Sequence, residues 1–334
     1  MSVKLSGMEV VAEVIREHYD LGEVQLPEQL PAAHQRRHRK MVVRTSGGTF
    51  LAKTYKRDPV VIDSLLFQHR LSGHLEGHGL PVAHIQRAKS GRGLVEVDNW
   101  VLELQRFVEG ESMRITARTM VTSAKALGKF HQVCRDLPAP PRDQNMWRFS
   151  EVPREAFQRF FEVARGQRDE DLIVKHCNNI ARFLLEAAEA LDIAKRTEFE
   201  TGLIHGDWHG ANLMFQGEEL AAIIDLEFAG KGCYLEDIAY AMSNLCIRTS
   251  SEEKRIQDRV NYLLDYYQFS RSLSYAELVA LYYAVGVKHV TTVSYQTLQQ
   301  GGKVAGITAA DWMELLDVQT RWLAEQSRKA RFGG

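Results

Sequence analysis

Two neighbouring stretches of this 334-residue chain decide its fold. Residues 203–215 read LIHGDWHGANLMF, and residues 221–225 read AAIID. Both contain short apolar runs of the kind that form buried β-strands, and the first also contains a polar segment with two glycines. We therefore expect a strand, a tight loop, a second strand and, after a further strand, an acidic residue.

Asp207, Asn212 and Asp225 have the order and spacing of a phosphoryl-transfer site. Such a reaction needs an acceptor hydroxyl held in line and cations that bridge the phosphate oxygens. An aspartate can orient the hydroxyl and take its proton, which is the role expected for Asp207. Asn212 and Asp225 offer the oxygen atoms that Mg²⁺ prefers. A polar surface turn is the alternative, but it would leave the flanking strands and both spacings to chance.

The pattern HGDxxxxN, followed by an apolar run and an aspartate, resembles the aminoglycoside phosphotransferase/choline kinase superfamily. Its members are protein-kinase-like kinases of small molecules. The resemblance implies that Asp207 is the catalytic base and that Asn212 and Asp225 are Mg²⁺ ligands. It also implies that His205 organises the catalytic loop and that Asp237 braces it.

Two upstream segments resemble the ATP site of the same family. Residues 50–55 read FLAKTY, which is similar to the strand whose lysine contacts the ATP α- and β-phosphates, so this role is expected for Lys53. Residues 101–110 read VLELQRFVEG and resemble the hinge. Backbone groups near Glu103 to Gln105 would then bind the adenine edge.

Two features depart from the family pattern. The lysine partner is normally a glutamate on the first helix, but here the best-aligned position is Gln68 and the nearest acidic residue is Asp63. A neutral amide would hold the ammonium of Lys53 less firmly than a carboxylate would. The glycines of the phosphate-covering loop are also missing from residues 31–40, where the basic run 34–40 either meets phosphate or forms a solvated turn.

The acceptor side is less defined. Glu227 is expected either to contact the substrate or metal site or to be a solvated carboxylate. Trp208 and His209 are candidates for the acceptor pocket because they lie within the catalytic loop. Trp147 and Tyr234 could form aromatic walls of a cation site, although core packing is favoured for both.

The order of predicted elements gives the fold class. Up to about residue 104 the chain is rich in strands, with one interposed helix, and after residue 110 helical periodicity dominates. We therefore predict an α+β, two-lobed protein-kinase-like fold. Residues 1–104 would form the ATP-binding lobe, and residues 105–334 the catalytic and acceptor-binding lobe. A long helix is expected from Thr116, its N-cap, to Cys134.

Composition excludes several classes of protein. Lys plus Arg number 42 and Asp plus Glu 43, so the formal charge of −1 gives no support for nucleic-acid binding. The sequence contains no apolar stretch long enough for a membrane span and no signal-peptide pattern at Met1. The four cysteines have no metal-binding spacing, which favours free thiols in a reducing compartment. A cytoplasmic location is the expectation.

The resemblance implies an ATP- and Mg²⁺-dependent enzyme that phosphorylates a hydroxyl of a small molecule, such as an amino alcohol, an aminoglycoside or a sugar. The layout also resembles the homoserine kinase type II/spore-coat-kinase-like branch and the bacterial stress-response kinase, so a Ser/Thr protein substrate is the alternative. The short segment 228–233 leaves little platform for a peptide. A pseudokinase, which would keep the fold without turnover, is a further alternative. It is disfavoured because Asp207, Asn212 and Asp225 are all present. The acceptor, ATP versus GTP, and the oligomeric state stay open.

Overall fold

The computed structural model describes residues 7–31, 38–141, 151–192 and 198–332. The chain divides into two compact units. The first comprises Met1–Ser112 together with Leu213–Glu227, and the second comprises Met113–Asn212 together with Phe228–Gly334. Compared with the single boundary predicted after residue 104, the first unit extends further and includes a later segment that leads to Asp225.

The first unit is rich in strands. Its elements are α1 (Met8–His18), β1 (Glu28–Gln29), β2 (Arg39–Thr45), β3 (Gly48–Lys56), α2 (Pro59–Gly77), β4 (Leu94–Val97), β5 (Trp100–Arg106), β6 (Glu111–Ser112), β8 (Leu213–Gln216) and β9 (Glu219–Ile223). Five strands form an antiparallel sheet in the order β1-β2-β3-β5-β4, and three form a second sheet in the order β6-β8-β9. The second sheet ends just before Asp225.

The five-stranded sheet has one apolar face and one face with charged residues, because side chains alternate along each strand. One face packs its apolar residues against α1 in a single core that includes Met41, Val43, Phe50, Ala52, Leu102 and Leu104. Residues between these point to the opposite face because successive side chains of a strand alternate. Lys40 pairs with Lys53, and Lys53 pairs with Glu103. Three charged residues therefore form a row across three neighbouring strands.

The second unit is mainly helical. Its helices are α3 (Ala117–Val133), α4 (Arg154–Arg165), α5 (Glu170–Ala190), α6 (Tyr234–Met242), α7 (Glu253–Tyr267), α8 (Tyr275–Gln299) and α9 (Ala309–Phe332). The strands β7 (Thr201–Ile204) and β10 (Gly230–Cys233) pair with each other, as do β11 (Lys303–Val304) and β12 (Ile307–Thr308). Helix α6 continues into a π-helical turn at Ser243–Ile247.

These elements confirm the predicted α+β class, with antiparallel strands early in the chain and helices later. Thr116 caps α3 as predicted, since its side chain accepts a hydrogen bond from the Thr119 amide. Helix α4 was not predicted. None of the described helices has both the length and the apolar character needed to cross a membrane. The four cysteines are free thiols.

Candidate active site

The catalytic loop joins β7 to β8 and depends on a glycine. Gly206 has a φ of +79°, and a Cβ atom placed on it would lie 2.5 Å from the Phe228 carbonyl oxygen. Only glycine fits this left-handed and crowded position without strain. The loop then returns through a short 3₁₀ turn at Gly210–Asn212, directly before β8. The tight turn predicted from the sequence is therefore present.

Asp237, at the start of α6, fixes the loop backbone. Its carboxylate accepts hydrogen bonds from the amides of His205 and Gly206, each at 2.7 Å. It also accepts one from Nε2 of His131 at 3.0 Å. Burial alone would raise the pKa of Asp237, but the hydrogen bond and the charge of His131 lower it. The expectation that Asp237 braces the loop agrees with these contacts.

The Asp207 carboxylate is held by its own loop and by α6. Asn212 Nδ2 lies 2.9 Å from Asp207 Oδ2 and also donates to the Asp207 carbonyl oxygen at 3.0 Å. His209 Nε2 lies 3.2 Å from the same carboxylate oxygen. Burial would raise the pKa of Asp207, but hydrogen bonds from His209 and Tyr240 hold it far below its usual range. Asp207 is therefore an oriented and ionised carboxylate.

Asn212 has one polar atom left for another partner. Because its Nδ2 donates to Asp207, its carboxamide oxygen remains as the atom that can act as a ligand. The side chain is 6% exposed. This geometry fits the predicted role of a neutral oxygen ligand.

Two of the aromatic residues considered for the acceptor side, Trp208 and Tyr234, are buried in the core. Trp208 is fully buried, and its indole Nε1 donates to Ser123 Oγ at 3.1 Å, so its assignment to the acceptor pocket was wrong. Tyr234 is also fully buried, which agrees with the preference for core packing. Trp147 lies outside the described residues. His209 does lie beside Asp207.

Two members of the charged row in the first unit, Lys53 and Glu103, line a cavity. Its walls include Lys53, Gln68, Glu103, Gln105 and Asp225. Lys53 Nζ lies 4.0 Å from Glu103 Oε1, which is an ion-pair distance. Gln105 Nε2 donates to the same Glu103 oxygen at 2.7 Å. The cavity thus brings together the three residues predicted for nucleotide binding and one of the two predicted for the metal.

The expected adenine contact through the backbone at Glu103 and Gln105 does not fit this structure. Both residues lie inside β5, whose backbone pairs with β3, and Glu103 also pairs with Leu94 of β4. The carbonyl of Leu104, between them, accepts from the Gln86 amide. Glu103 and Gln105 therefore reach the cavity with their side chains, because the strand continues to Arg106 rather than ending at the predicted hinge.

Asp225 follows β9 with a φ of +65°, which is unusual for a residue other than glycine. Strained backbone of this kind is frequent at functional positions. Lys40 is close enough for the charges of Asp225 and Glu227 to act on it, although burial and Lys53 together lower the pKa of its ammonium. Glu227 is half-buried, so it is not a freely solvated carboxylate.

Three residues of the site escaped the sequence prediction: His69, Tyr240 and, as a member of the charged row, Lys40. The position of Lys40 could have been found, because a two-residue turn at Ser46-Gly47 fixes which residues of the hairpin face each other. No local signal marks His69 or Tyr240. Of the basic run 34–40, residues 34–37 lie outside the described residues, and Lys40 belongs to β2.

Comparisons with known proteins identify the family. The sequence model of the phosphotransferase enzyme family, APH, matches residues 28–270. The homoserine kinase of Nitrobacter hamburgensis is 27% identical over 264 residues, which cover 79% of this chain and 76% of that protein. The homoserine kinase of Nitrobacter winogradskyi is 28% identical over 265 residues, with the same coverage of 79% and 76%.

Solved structures show the same fold. An aminoglycoside phosphotransferase from Alicyclobacillus acidocaldarius has a TM-score of 0.71 at 14% identity, covering 99% of this chain and 97% of that one. A microcompartment-associated aminopropanol kinase has a TM-score of 0.63 at 17% identity, covering 97% and 96%. The amicoumacin kinase hAmiN, in complex with AMP-PNP, Ca²⁺ and Ami, has a TM-score of 0.65 at 15% identity, covering 96% and 93%. This chain belongs to the APH phosphotransferase family, has its protein-kinase-like fold and is a kinase-type phosphotransferase that acts on hydroxyl groups.

Proposed function

We propose that this enzyme transfers the γ-phosphate of ATP to a hydroxyl group of a small molecule in a Mg²⁺-dependent reaction. The observation that carries the proposal is the catalytic loop, in which Asp207 is held by Asn212 and His209 on a backbone anchored to Asp237. Phosphoryl transfer depends mainly on such positioning and on charge neutralisation.

Asp207 is the proposed catalytic base. The acceptor oxygen forms a bond to the γ-phosphorus, the bond from that phosphorus to the bridging oxygen breaks, and ADP leaves. The hydroxyl proton passes to the Asp207 carboxylate. Because the pKa of Asp207 is lowered, it is a weak base for a free alcohol. Its first task is therefore to orient the hydroxyl, and it takes the proton once bond formation has made the hydroxyl acidic.

Lys53 is proposed to bind the ATP phosphates, in a cavity that the side chains of Glu103, Gln105 and Asp225 also line. Asn212 and Asp225 are proposed to hold Mg²⁺. A carboxamide oxygen and a carboxylate are the hard ligands that this ion accepts, with phosphate and water completing its shell. When bound, the ion would neutralise charge on the transferred phosphate.

We propose a small hydroxy amino acid as the acceptor, with homoserine tested first because of the homoserine kinase relatives and amino alcohols as the alternative. Charges near Asp207 support an acceptor with an acidic group. Lys288 Nζ lies 3.7 Å from the ring centroid of Tyr240, and Arg248 is close enough for its charge to act on the same phenol. Lys288 and Arg248 are thus two cations beside Tyr240, which donates a hydrogen bond to Asp207. They suit a substrate that carries a carboxylate better than a polycationic aminoglycoside.

The test is ADP release from ATP and Mg²⁺ in the presence of homoserine, ethanolamine, 1-amino-2-propanol, kanamycin or glucose, with casein as a protein control. We expect turnover with one of the small hydroxyl compounds, its loss in EDTA, and its return with added Mg²⁺. Asp207→Asn should lower kcat by at least about 100-fold, because it removes the general base. Asp258→Asn, an exposed site on α7, is the matched control. Unchanged turnover in Asp207→Asn would refute the assignment.

A further inference from the structure

The lysine of the ATP cavity has a buried carboxylate beside it that does not come from a helix. Glu103 lies on β5, directly opposite Lys53 on β3, and it is 1% exposed. Its Oε1 lies 4.0 Å from Lys53 Nζ, while its Oε2 lies 2.6 Å from Nε2 of His69 on α2. The three side chains form a continuous chain from α2 to the cavity.

The two residues that the sequence suggested as lysine partners are placed differently. Gln68 lines the cavity, but its amide donates to Ser64 Oγ at 3.1 Å. Asp63 is exposed. An exposed carboxylate interacts weakly with a lysine because water and salt screen it, whereas a buried one is screened much less. Of these three side chains, Glu103 therefore interacts most strongly with the Lys53 ammonium.

Three interactions keep Glu103 charged despite its burial. Burial by itself raises the pKa of a carboxyl group. Here the hydrogen bond from His69, the charge of Lys53 and the hydrogen bond from Gln105 outweigh it and lower the pKa of Glu103. The Lys53 contact is longer than a hydrogen bond, so the ammonium keeps its donors for other oxygen atoms.

His69 is placed to donate to Glu103 through Nε2. Its Nδ1 is buried and has no hydrogen-bond partner among the described residues, which favours the tautomer with its proton on Nε2. The imidazole holds one carboxylate oxygen, Oε2, and leaves Oε1 on the side of Lys53. Gly93 makes room for the ring, because a Cβ atom on Gly93 would lie 2.5 Å from His69 Nδ1 and 3.0 Å from Ile85 Cγ2.

We propose that Glu103 supplies the carboxylate that orients Lys53 for the ATP phosphates, and that His69 is a positioning residue that acts through Glu103. This inference rests on the ATP-dependent function proposed above. The usual helix glutamate is thus replaced by a strand glutamate, and the helix contributes the histidine that holds it.

The experiment measures ATP binding by calorimetry and the KM for ATP and kcat by ADP release, on the full chain. Glu103→Gln and His69→Leu should each weaken ATP binding by at least about tenfold, as expected for loss of a charged hydrogen-bonded partner. His69→Gln should restore most of the affinity, because its amide can still donate to Glu103. The KM for the acceptor should stay within about twofold.

Combined variants separate positioning from stability. Adding His69→Leu to Glu103→Gln should weaken ATP binding much less than the product of the two single effects, since His69 acts through Glu103. Gly93→Ala should displace the imidazole and weaken ATP binding without removing any polar group. The matched controls are Asp63→Asn, His78→Gln and Gly77→Ala, where a Cβ atom on Gly77 meets nothing within 4 Å.

The outcomes distinguish this inference from the function on which it rests. If the unchanged protein does not bind ATP, both fail. If it binds ATP, and His69→Leu and Gly93→Ala lower only the melting temperature, the residues are structural and this inference alone is overturned. Independent effects of Glu103→Gln and His69→Leu would overturn the role of His69.

Discussion

Replacing Asp237 with asparagine should damage stability and turnover together. The carboxylate is fully buried and accepts from two backbone amides and from His131. Asparagine has one acceptor oxygen in place of two and turns an NH₂ group towards a donor. Losing one charged hydrogen bond costs about 1.5–3 kcal/mol. With a buried donor left unpaired as well, we expect the free energy of unfolding to fall by about 3–5 kcal/mol.

The same substitution should lower kcat by about 100-fold, because a shift of about 1 Å in the amides of residues 205 and 206 misplaces the Asp207 carboxylate. Urea unfolding and ADP release measure the two effects. Asp317→Asn is the matched control, because this aspartate is 2% exposed and is bound by His176, Asn179 and Arg321 on the helical unit. It should lose stability and keep its kcat within about twofold. Equal loss of kcat in both variants would refute the reasoning.

Two further predictions concern backbone conformation and acid stability. Gly206→Ala should lower the free energy of unfolding by about 1–3 kcal/mol and should also lower kcat. Gly217→Ala is the control, because Gly217 has a φ of +61° but open space around it. It should show only the smaller conformational cost in urea unfolding, with unchanged kcat. Burial lowers the pKa of His289 from 6.5 to about 4, so the unfolded chain binds a proton more readily between these values. The free energy of unfolding should therefore fall by about 3 kcal/mol as the pH drops from about 7 to 4, and His289→Gln should remove that contribution. An equally steep pH dependence in His289→Gln would contradict this assignment.

The catalytic loop and the hairpin could be predicted because both depend on residues that are close in sequence. The strand-loop-strand pattern around Asp207 is determined by residues that are neighbours in sequence. Its glycine, Gly206, is required because a side chain would not fit in so tight a turn. The two-residue turn at Ser46-Gly47 joins β2 to β3, and the strand expected at residues 50–55 lies within β3. These features depend on contacts between residues that are close in sequence.

Contacts between distant residues account for the errors. Glu103 and His69 are 34 positions apart, and only the packing of α2 near β5 brings them together. Trp208 was placed in a pocket because it lies in a functional loop, yet its large apolar ring was more stable buried with its indole bonded to Ser123. Helix α4 is an exception, because its signals are local: Pro153 precedes it and its apolar residues recur at helical spacing.

The location of Glu103 on a strand has a consequence for regulation. Where the lysine partner belongs to a helix, movement of that helix can break the ion pair and switch a kinase off. Here Lys53 and Glu103 face each other on adjacent strands whose pairing extends over the whole of β5. Separating them would require breaking the sheet. We therefore expect the Lys53–Glu103 pair to stay formed, without the helix movement that breaks such a pair in other kinases.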